Sequence, residues 1–158
     1  MKKNQLEKLL REHHVPAYYW ALQLCNHQED SAKEVLQMTY LKILENKARY
    51  KEQSSFKTWL FAVIRFTALD HLKVQSKHSS LDHLQIVDDS PVYEPELNLR
   101  PYLDQLPERQ KQVLLLSFYH DLSLSNVAQV LEISIGSVRT HYSRGKEALR
   151  ALLKPIRS

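Results

Sequence analysis

Glycine occurs only twice in this chain of 158 residues. Tight βαβ crossovers, Gly-rich phosphate loops and multi-hairpin sheets all place glycine at turns that other residues enter with strain, so its scarcity steers the chain toward helices. Apolar residues make up 43% of the sequence. That supports packed cores, and the length fits one ordinary domain or two small ones, each of modest stability. The expected fold class is all-α.

One segment breaks the helical pattern. "SKHSSLDHLQIVDDSPVYEPELN", residues 76–98, holds Pro91, Pro95 and four serines, the chemistry of an extended connector. Charge follows the same division. Residues 1–80 carry 13 Lys/Arg against 8 Asp/Glu, a balance of +5. Residues 81–100 carry one Arg against five acids, −4, and residues 101–158 carry 8 bases against 5 acids, +3. Two helical domains, 1–77 and 99–158, joined by a flexible acidic linker over 78–98, are therefore expected. Basic bodies of this kind point to a polyanion partner.

In the first half, "EDSAKEVLQMTYLKILENK" sets Ala32, Val35, Leu36, Thr39, Tyr40, Ile43 and Leu44 at helical spacing, with Asp30 or Ser31 as the N-cap. "SSFKTWLFAVIRFTALDHLK" predicts a second helix, capped by Ser54 or Ser55, with two apolar stripes. Phe56, Leu60, Val63, Ile64 and Thr67 form the expected core face; Trp59, Ala62, Phe66 and Leu69 form the other, near Lys57, Arg65 and Lys73. A helix apolar on two sides is either central in its domain or offers one stripe to a partner. Unpaired nucleic-acid bases are held by aromatic surfaces above cations, with stacking contributing about 1–3 kcal/mol per base. Tyr50, Lys51, Phe56, Lys57, Trp59, Arg65, Phe66 and Lys73 supply that chemistry. Trp59 has two readings, buried core or DNA-facing ring.

The second half opens with "LPERQKQVLLLSFYHD", where Pro107 suits a first helical position and Glu108 the positive end of a helix dipole. That helix is expected to end near His120. A short helix, about Ser125–Leu131, follows, then a turn at Glu132–Ser134 and a longer helix from Ile135, capped by Ser134. Small Ala128 permits close approach of the last two helices, and Val138 fills the angle between them. This is the helix-turn-helix pattern. Gly136, Ser137, Arg139, Thr140, Ser143 and Arg144 then form the polar side of the recognition helix, with donors for phosphates and base edges in a major groove. The competing reading is a solvated surface helix with incidental arginines.

The sequence resembles the extracytoplasmic-function (ECF) group of bacterial RNA polymerase sigma factors over nearly its whole length. "AKEVLQMTYLKIL", "SSFKTWLFAVIRFTALDHL", "LDQLPERQKQVLLL" and "LSLSNVAQVLEISIGSVRTHYSRGKEAL" are similar to that family's regions 2.2, 2.3–2.4, 4.1 and 4.2, in that order. The resemblance implies that the first domain grips the β′ coiled coil of core polymerase and holds the −10 element as single strand. It implies that the second domain sits on the β flap and reads the −35 element as duplex. Glu34, Gln37, Met38 and Thr39 match a core-binding stretch and are expected on the surface facing β′. Three departures stand out: Met38 replaces a usual carboxylate, Phe66 replaces a usual Asn whose role is not transferred, and Glu132 replaces a usual Gly. A left-handed backbone at Glu132 would cost roughly 1 kcal/mol or more, unless the turn takes another geometry. "KVQSKHSS", at the end of region 2.4, is less basic than usual, which implies modest upstream duplex contact. The acidic linker is expected either to thread toward polymerase's active-site cleft or RNA exit path, or to act as a plain spacer. An anti-sigma factor is a further implied partner.

No convergent catalytic group is readable, and no cofactor or metal is expected. Cys25 and His27 lie in an apolar helical context, while His78 and His83 have a loose ligand spacing with no second pair to complete it. His13–His14 alone is at most one corner of a site. A single cysteine fits a reducing cytoplasm, and no membrane insertion is expected without an apolar run of about 18 residues. Two non-enzymatic alternatives remain: a stand-alone helix-turn-helix regulator binding duplex DNA, and an imitator that occupies polymerase without opening promoters.

Overall fold

A computed structural model describes residues 2–78 and 99–157. The expected linker, 78–98, thus lies outside the described residues except for His78, as does His83. All regular structure among the described residues is helical, and the chain divides into two compact units, Met1–Gln85 and Ile86–Ser158.

The first unit contains α1 (Lys3–Glu12), α2 (His14–Leu24), α3 (Glu29–Leu44) and α4 (Phe56–His78). Pro16 has no N–H to return to Glu12, which accounts for the break between α1 and α2 at His13. The sequence HVPAYYWALQL is apolar nearly all round because α2 packs on both α3 and α4. Ala17 and Ala21 are fully buried there, and small side chains let the neighbours approach. Trp20 lies parallel to Phe61 of α4, with centroids 5.8 Å apart, and its indole N–H donates to the Phe61 carbonyl at 3.1 Å. Val35, Leu36 and Ile43 of α3 and Leu60, Ile64 and Ala68 of α4 complete the core.

Several details differ from the sequence reading. α3 begins at Glu29, two or three residues earlier than a cap at Asp30 or Ser31 would set, with Gln28 preceding it and Ser31 buried. Phe61, not Val63, shares the core face of α4, while Leu44 is exposed. Ser55 does cap α4, its Oγ accepting from the Thr58 N–H at 3.2 Å.

The second unit contains α5 (Arg100–Leu103), α6 (Glu108–Leu114), α7 (Leu124–Leu131) and α8 (Ile135–Arg157). Pro107 precedes α6, and a π-helical turn over Leu115–Tyr119 extends that helix. Val113, Leu116, Val127, Val130, Leu131 and Val138 are buried together at the centre of the helix-turn-helix. Lys111 is also buried, with its amine paired at 2.7 Å to Asp104.

The turn between α7 and α8 resolves the question at Glu132. It is left-handed, at φ 56° and ψ 43°, and the N–H of Ile133 reaches back to the Ala128 carbonyl at 3.2 Å. This is a helix-ending geometry that glycine normally serves. Ser123 caps α7 through the Asn126 N–H, and Ser134 caps α8 through the Ser137 N–H, each at 3.1 Å. Gly145 explains the close crossing of α8 on α6: a Cβ there would stand 3.2 Å from Leu114 Cδ1 and 3.4 Å from Gln110 Cβ.

Candidate nucleic-acid interface

Gly136, Ser137, Arg139, Thr140, Ser143 and Arg144 are all exposed on α8. At 100° per residue they fall within an arc of roughly 160°, while Val138 on the other side is fully buried. Two hydroxyls are already engaged locally. Thr140 donates to the Gly136 carbonyl at 3.1 Å, and Ser137 Oγ accepts from the Ser134 hydroxyl at 3.0 Å. The arginines are thus the long-reaching members of this face. Glu147, one turn beyond Ser143, is exposed within the same arc, and the exposed Arg150 and Lys154 resume the cationic side beyond it.

A second face of this unit was not anticipated from the sequence. Leu99, Leu103, Leu114, Leu115, Leu149 and Leu153 line an apolar groove of about 500 Å³, with Lys146 and Arg150 also in its wall. Phe118, 58% exposed, stands at this groove and stacks on Tyr142 with centroids 5.6 Å apart. The signal was the apolar spacing Leu149–Leu152–Leu153, which continues α8 beyond the polar arc.

In the first unit, Tyr50, Phe56 and Trp59 form one aromatic cluster, with centroid separations of 5.3–5.5 Å. Tyr50 is pinned by its hydroxyl donating to the Ser54 carbonyl at 2.6 Å. Phe56 is buried, so it supports the other two rings and is not itself a stacking surface. Trp59 is half-buried, neither a fully covered core ring nor a fully exposed one. Phe66 and Lys73 continue from it at seven-residue intervals along one side of α4, and both are exposed. Lys51 is exposed in the preceding loop, and Arg65 is half-buried roughly 100° round α4 from this line. Lys57 does not join it. It lies roughly 160° round the helix from Trp59, with its amine 5.7 Å from the Phe61 ring centroid.

Lys42 of α3 was missed. Its amine is 5.7 Å from the Phe66 ring centroid, 3.4 Å from Thr67 Oγ1 and 3.9 Å from Asp70 Oδ2. Cation–ring placement of this kind is attractive, and here it orients an exposed aromatic.

On α3, Glu34 and Gln37 are exposed and Met38 is half-buried on the same side. Thr39 is not with them: it is fully buried, its hydroxyl donating to the Val35 carbonyl at 2.7 Å. The expectation of a surface role for Thr39 is corrected accordingly. Leu41 and Leu44, 51% and 40% exposed, extend the outward side. Gln37 also lines a groove of about 520 Å³ with His14, Tyr18, Lys33, Leu36 and Tyr40. His14 Nδ1 and the Tyr40 hydroxyl are hydrogen-bonded at 2.9 Å, whereas His13 Nδ1 donates to the Leu9 carbonyl, so the two histidines do not converge. Burial pushes the Tyr40 hydroxyl up to about 12 and the Cys25 thiol up to about 11.

Among the described residues no group of three His, Cys, Asp or Glu is placed to hold a metal ion. No helix there is long and apolar enough to cross a membrane.

Two family models match, Sigma-70 region 2 over residues 9–78 and Sigma-70 region 4 over residues 97–149, together covering more than three quarters of the chain. The chain is 26% identical to RNA polymerase sigma factor SigV of Bacillus subtilis over 167 aligned residues, spanning 97% of this chain and 96% of that one. It is also 26% identical to the ECF RNA polymerase sigma factor SigW of the same organism, spanning 79% and 76%. Two solved structures share the fold. One is the sigma factor RpoE in complex with the anti-sigma factor NepR from Bartonella quintana, with TM-score 0.74, 19% identity and coverage of 95% and 97%. The other is CnrH in complex with the cytosolic domain of CnrY, with TM-score 0.70, 18% identity and coverage of 98% and 90%. With regions 2 and 4 matched in order and relatives aligned along nearly its full length, the chain belongs to the sigma-70 family of RNA polymerase sigma factors, in its extracytoplasmic-function group.

Proposed function

We propose that this sigma factor, which directs RNA polymerase to promoters, divides its work between a region 2 domain over 1–77 and a region 4 domain over 99–158. Residues 78–98 are the connection between them. In region 2, Glu34, Gln37 and Met38 meet the β′ coiled coil, with Leu41 and Leu44 adding apolar area. Tyr50, Lys51, Trp59, Arg65, Phe66 and Lys73 hold the −10 element as single strand. The rings give flat surfaces on which unstacked bases lie, and the cations meet the backbone. Phe56 acts from beneath, and Lys57 contributes charge from another side of α4.

In region 4, the N-terminal half of α8 enters the major groove of the −35 duplex. Arg139 and Arg144 suit guanine edges or phosphates, while Ser137, Thr140 and Ser143 keep the helix close to the groove. The apolar groove of about 500 Å³ is the seat for the β flap. Melting draws on the difference between a stacked duplex and a strand spread over Trp59 and Phe66. Polymerase supplies the chemistry of RNA synthesis, and this chain needs no catalytic group of its own. The working compartment is the cytoplasm, where polymerase is. An anti-sigma factor covering one or both domains is the natural negative regulator.

The observation that carries this reading is one chain pairing a helix-turn-helix, whose polar arc is wholly exposed, with an aromatic and cationic α4 matched by region 2. A stand-alone duplex-binding regulator has no use for the second. Permanganate footprinting of genomic fragments bound by the reconstituted holoenzyme tests the division of labour. Arg139→Ala with Arg144→Ala should remove occupancy. Trp59→Ala with Phe66→Ala should retain occupancy and lose the reactivity of unpaired thymines. Loss of both signals in both variants would refute it.

A further inference from the structure

His71 of α4 is 6% exposed, aligned with core residues Ile64, Thr67 and Ala68. Its Nε2 is buried with no hydrogen-bond partner among the described residues, in a core whose other polar groups are largely paired. Across the α3–α4 contact, Glu34 Oε2 stands 3.9 Å away. That is too long for a hydrogen bond. The Glu34 side chain is 58% exposed, so one side of its carboxylate meets water while the other meets the edge of a buried imidazole.

We propose that His71 is a positioning residue for the polymerase-binding surface, orienting Glu34 from beneath. The inference rests on the reading of Glu34 as a polymerase contact. In the free protein, water competes for the carboxylate, and Glu34 keeps its side-chain freedom. When a partner covers α3 that water is displaced, and a modest rotation of the glutamate brings its oxygen to the His71 N–H. A hydrogen bond to an ionised acceptor is shorter and stronger than a neutral one. It also fixes one glutamate rotamer, which otherwise has to be ordered by the partner alone. The other nearby ionic pair is separate, since Asp70 faces Lys42 at 3.9 Å. His71 therefore serves Glu34 without drawing on the group beside Phe66.

The test uses the full chain and purified core polymerase, with affinity measured by fluorescence anisotropy of labelled protein. His71→Gln leaves an amide N–H close to the Nε2 position; His71→Asn moves it toward the Nδ1 position. Both are polar and carry the same kind of folding risk, which thermal denaturation of each variant measures separately. His71→Asn should weaken core binding by about fivefold, and His71→Gln should restore it to within about twofold. In a Glu34→Ala background, exchanging His71 for Asn should change nothing further. Equal losses with Gln and Asn, or a loss by Asn that persists unchanged in the Glu34→Ala background, would show that His71 acts only as packing. If Glu34→Ala itself leaves core affinity intact, the reading of α3 fails and takes this inference with it.

Discussion

Replacing Glu132 by glycine should strengthen the helix-turn-helix, and the amount can be worked out from the turn. Glu132 is left-handed, and that conformation lets its own N–H and that of Ile133 return to the Ala128 carbonyl. An L-residue there is strained by roughly 1–2 kcal/mol, whereas glycine enters the region freely but loses more chain entropy on folding. The carboxylate is also placed at the negative end of the α7 dipole, an unfavourable interaction of roughly 0.3–1 kcal/mol. Glu132→Ala removes only the charge, and Glu132→Gly removes both, so their difference isolates the backbone contribution at about 1 kcal/mol. In a domain of this size that corresponds to a midpoint shift of about 4–8 °C.

Tryptophan fluorescence does not report on this unit, because Trp20 and Trp59 both belong to the other one. Native-state hydrogen exchange of α7 and α8 amides in the full chain does, with first-unit amides as the internal control. Protection should be about fivefold higher for Glu132→Gly than for Glu132→Ala. Equal protection in the two variants would refute the strain argument and leave only the charge.

Other outcomes follow from the packing and the sites. Gly145→Val places a branched side chain against Leu114 and Gln110, and should destabilise the second unit by about 1–3 kcal/mol, seen as a lower circular-dichroism midpoint with unchanged tryptophan emission. Arg139→Ala, if that arginine reads a guanine, should weaken duplex binding by about 1–3 kcal/mol at one base position; a phosphate contact would instead reduce the salt slope by about one. Single-stranded −10 DNA should quench the half-buried Trp59 and spare the buried Trp20, so Trp59→Phe should abolish the quench in a titration. The native Cys25 and Tyr40 hold their protons more tightly than in the unfolded chain, so their contribution to stability is complete below pH 9.0. It falls as pH rises, between 9.0 and about 11 for Cys25 and between 10.0 and about 12 for Tyr40. Denaturant midpoints of the first unit across that range check this, and a midpoint rising with pH would contradict it.

The helix-turn-helix was legible because its signals are local. Ser134, the turn at Glu132 and the inward Val138 lie within seven residues of one another. Even with glutamate where the resemblance implies glycine, the turn is left-handed. The first unit was harder to read because α4 is apolar on two sides. Periodicity finds both stripes but gives only a weak indication of which one is covered, and Phe61 entered the core because Trp20, 41 residues away, stacks on it. Thr39 and Phe56 have the right chemistry at matching positions but point inward. Lys42 was overlooked since its partners Phe66, Thr67 and Asp70 are on another helix. Gly145 shows the same limit: a missing Cβ has meaning only beside Leu114.

The most direct test of the central claim is run-off transcription with the purified chain and core RNA polymerase from the same organism, on a library of its genomic fragments. The account predicts discrete transcripts that depend on the added chain, from start sites sharing one −10 and one −35 element. Tight binding to core without any such transcript would contradict it and favour a protein that occupies polymerase without opening promoters. Duplex binding without polymerase binding would point to the stand-alone regulator.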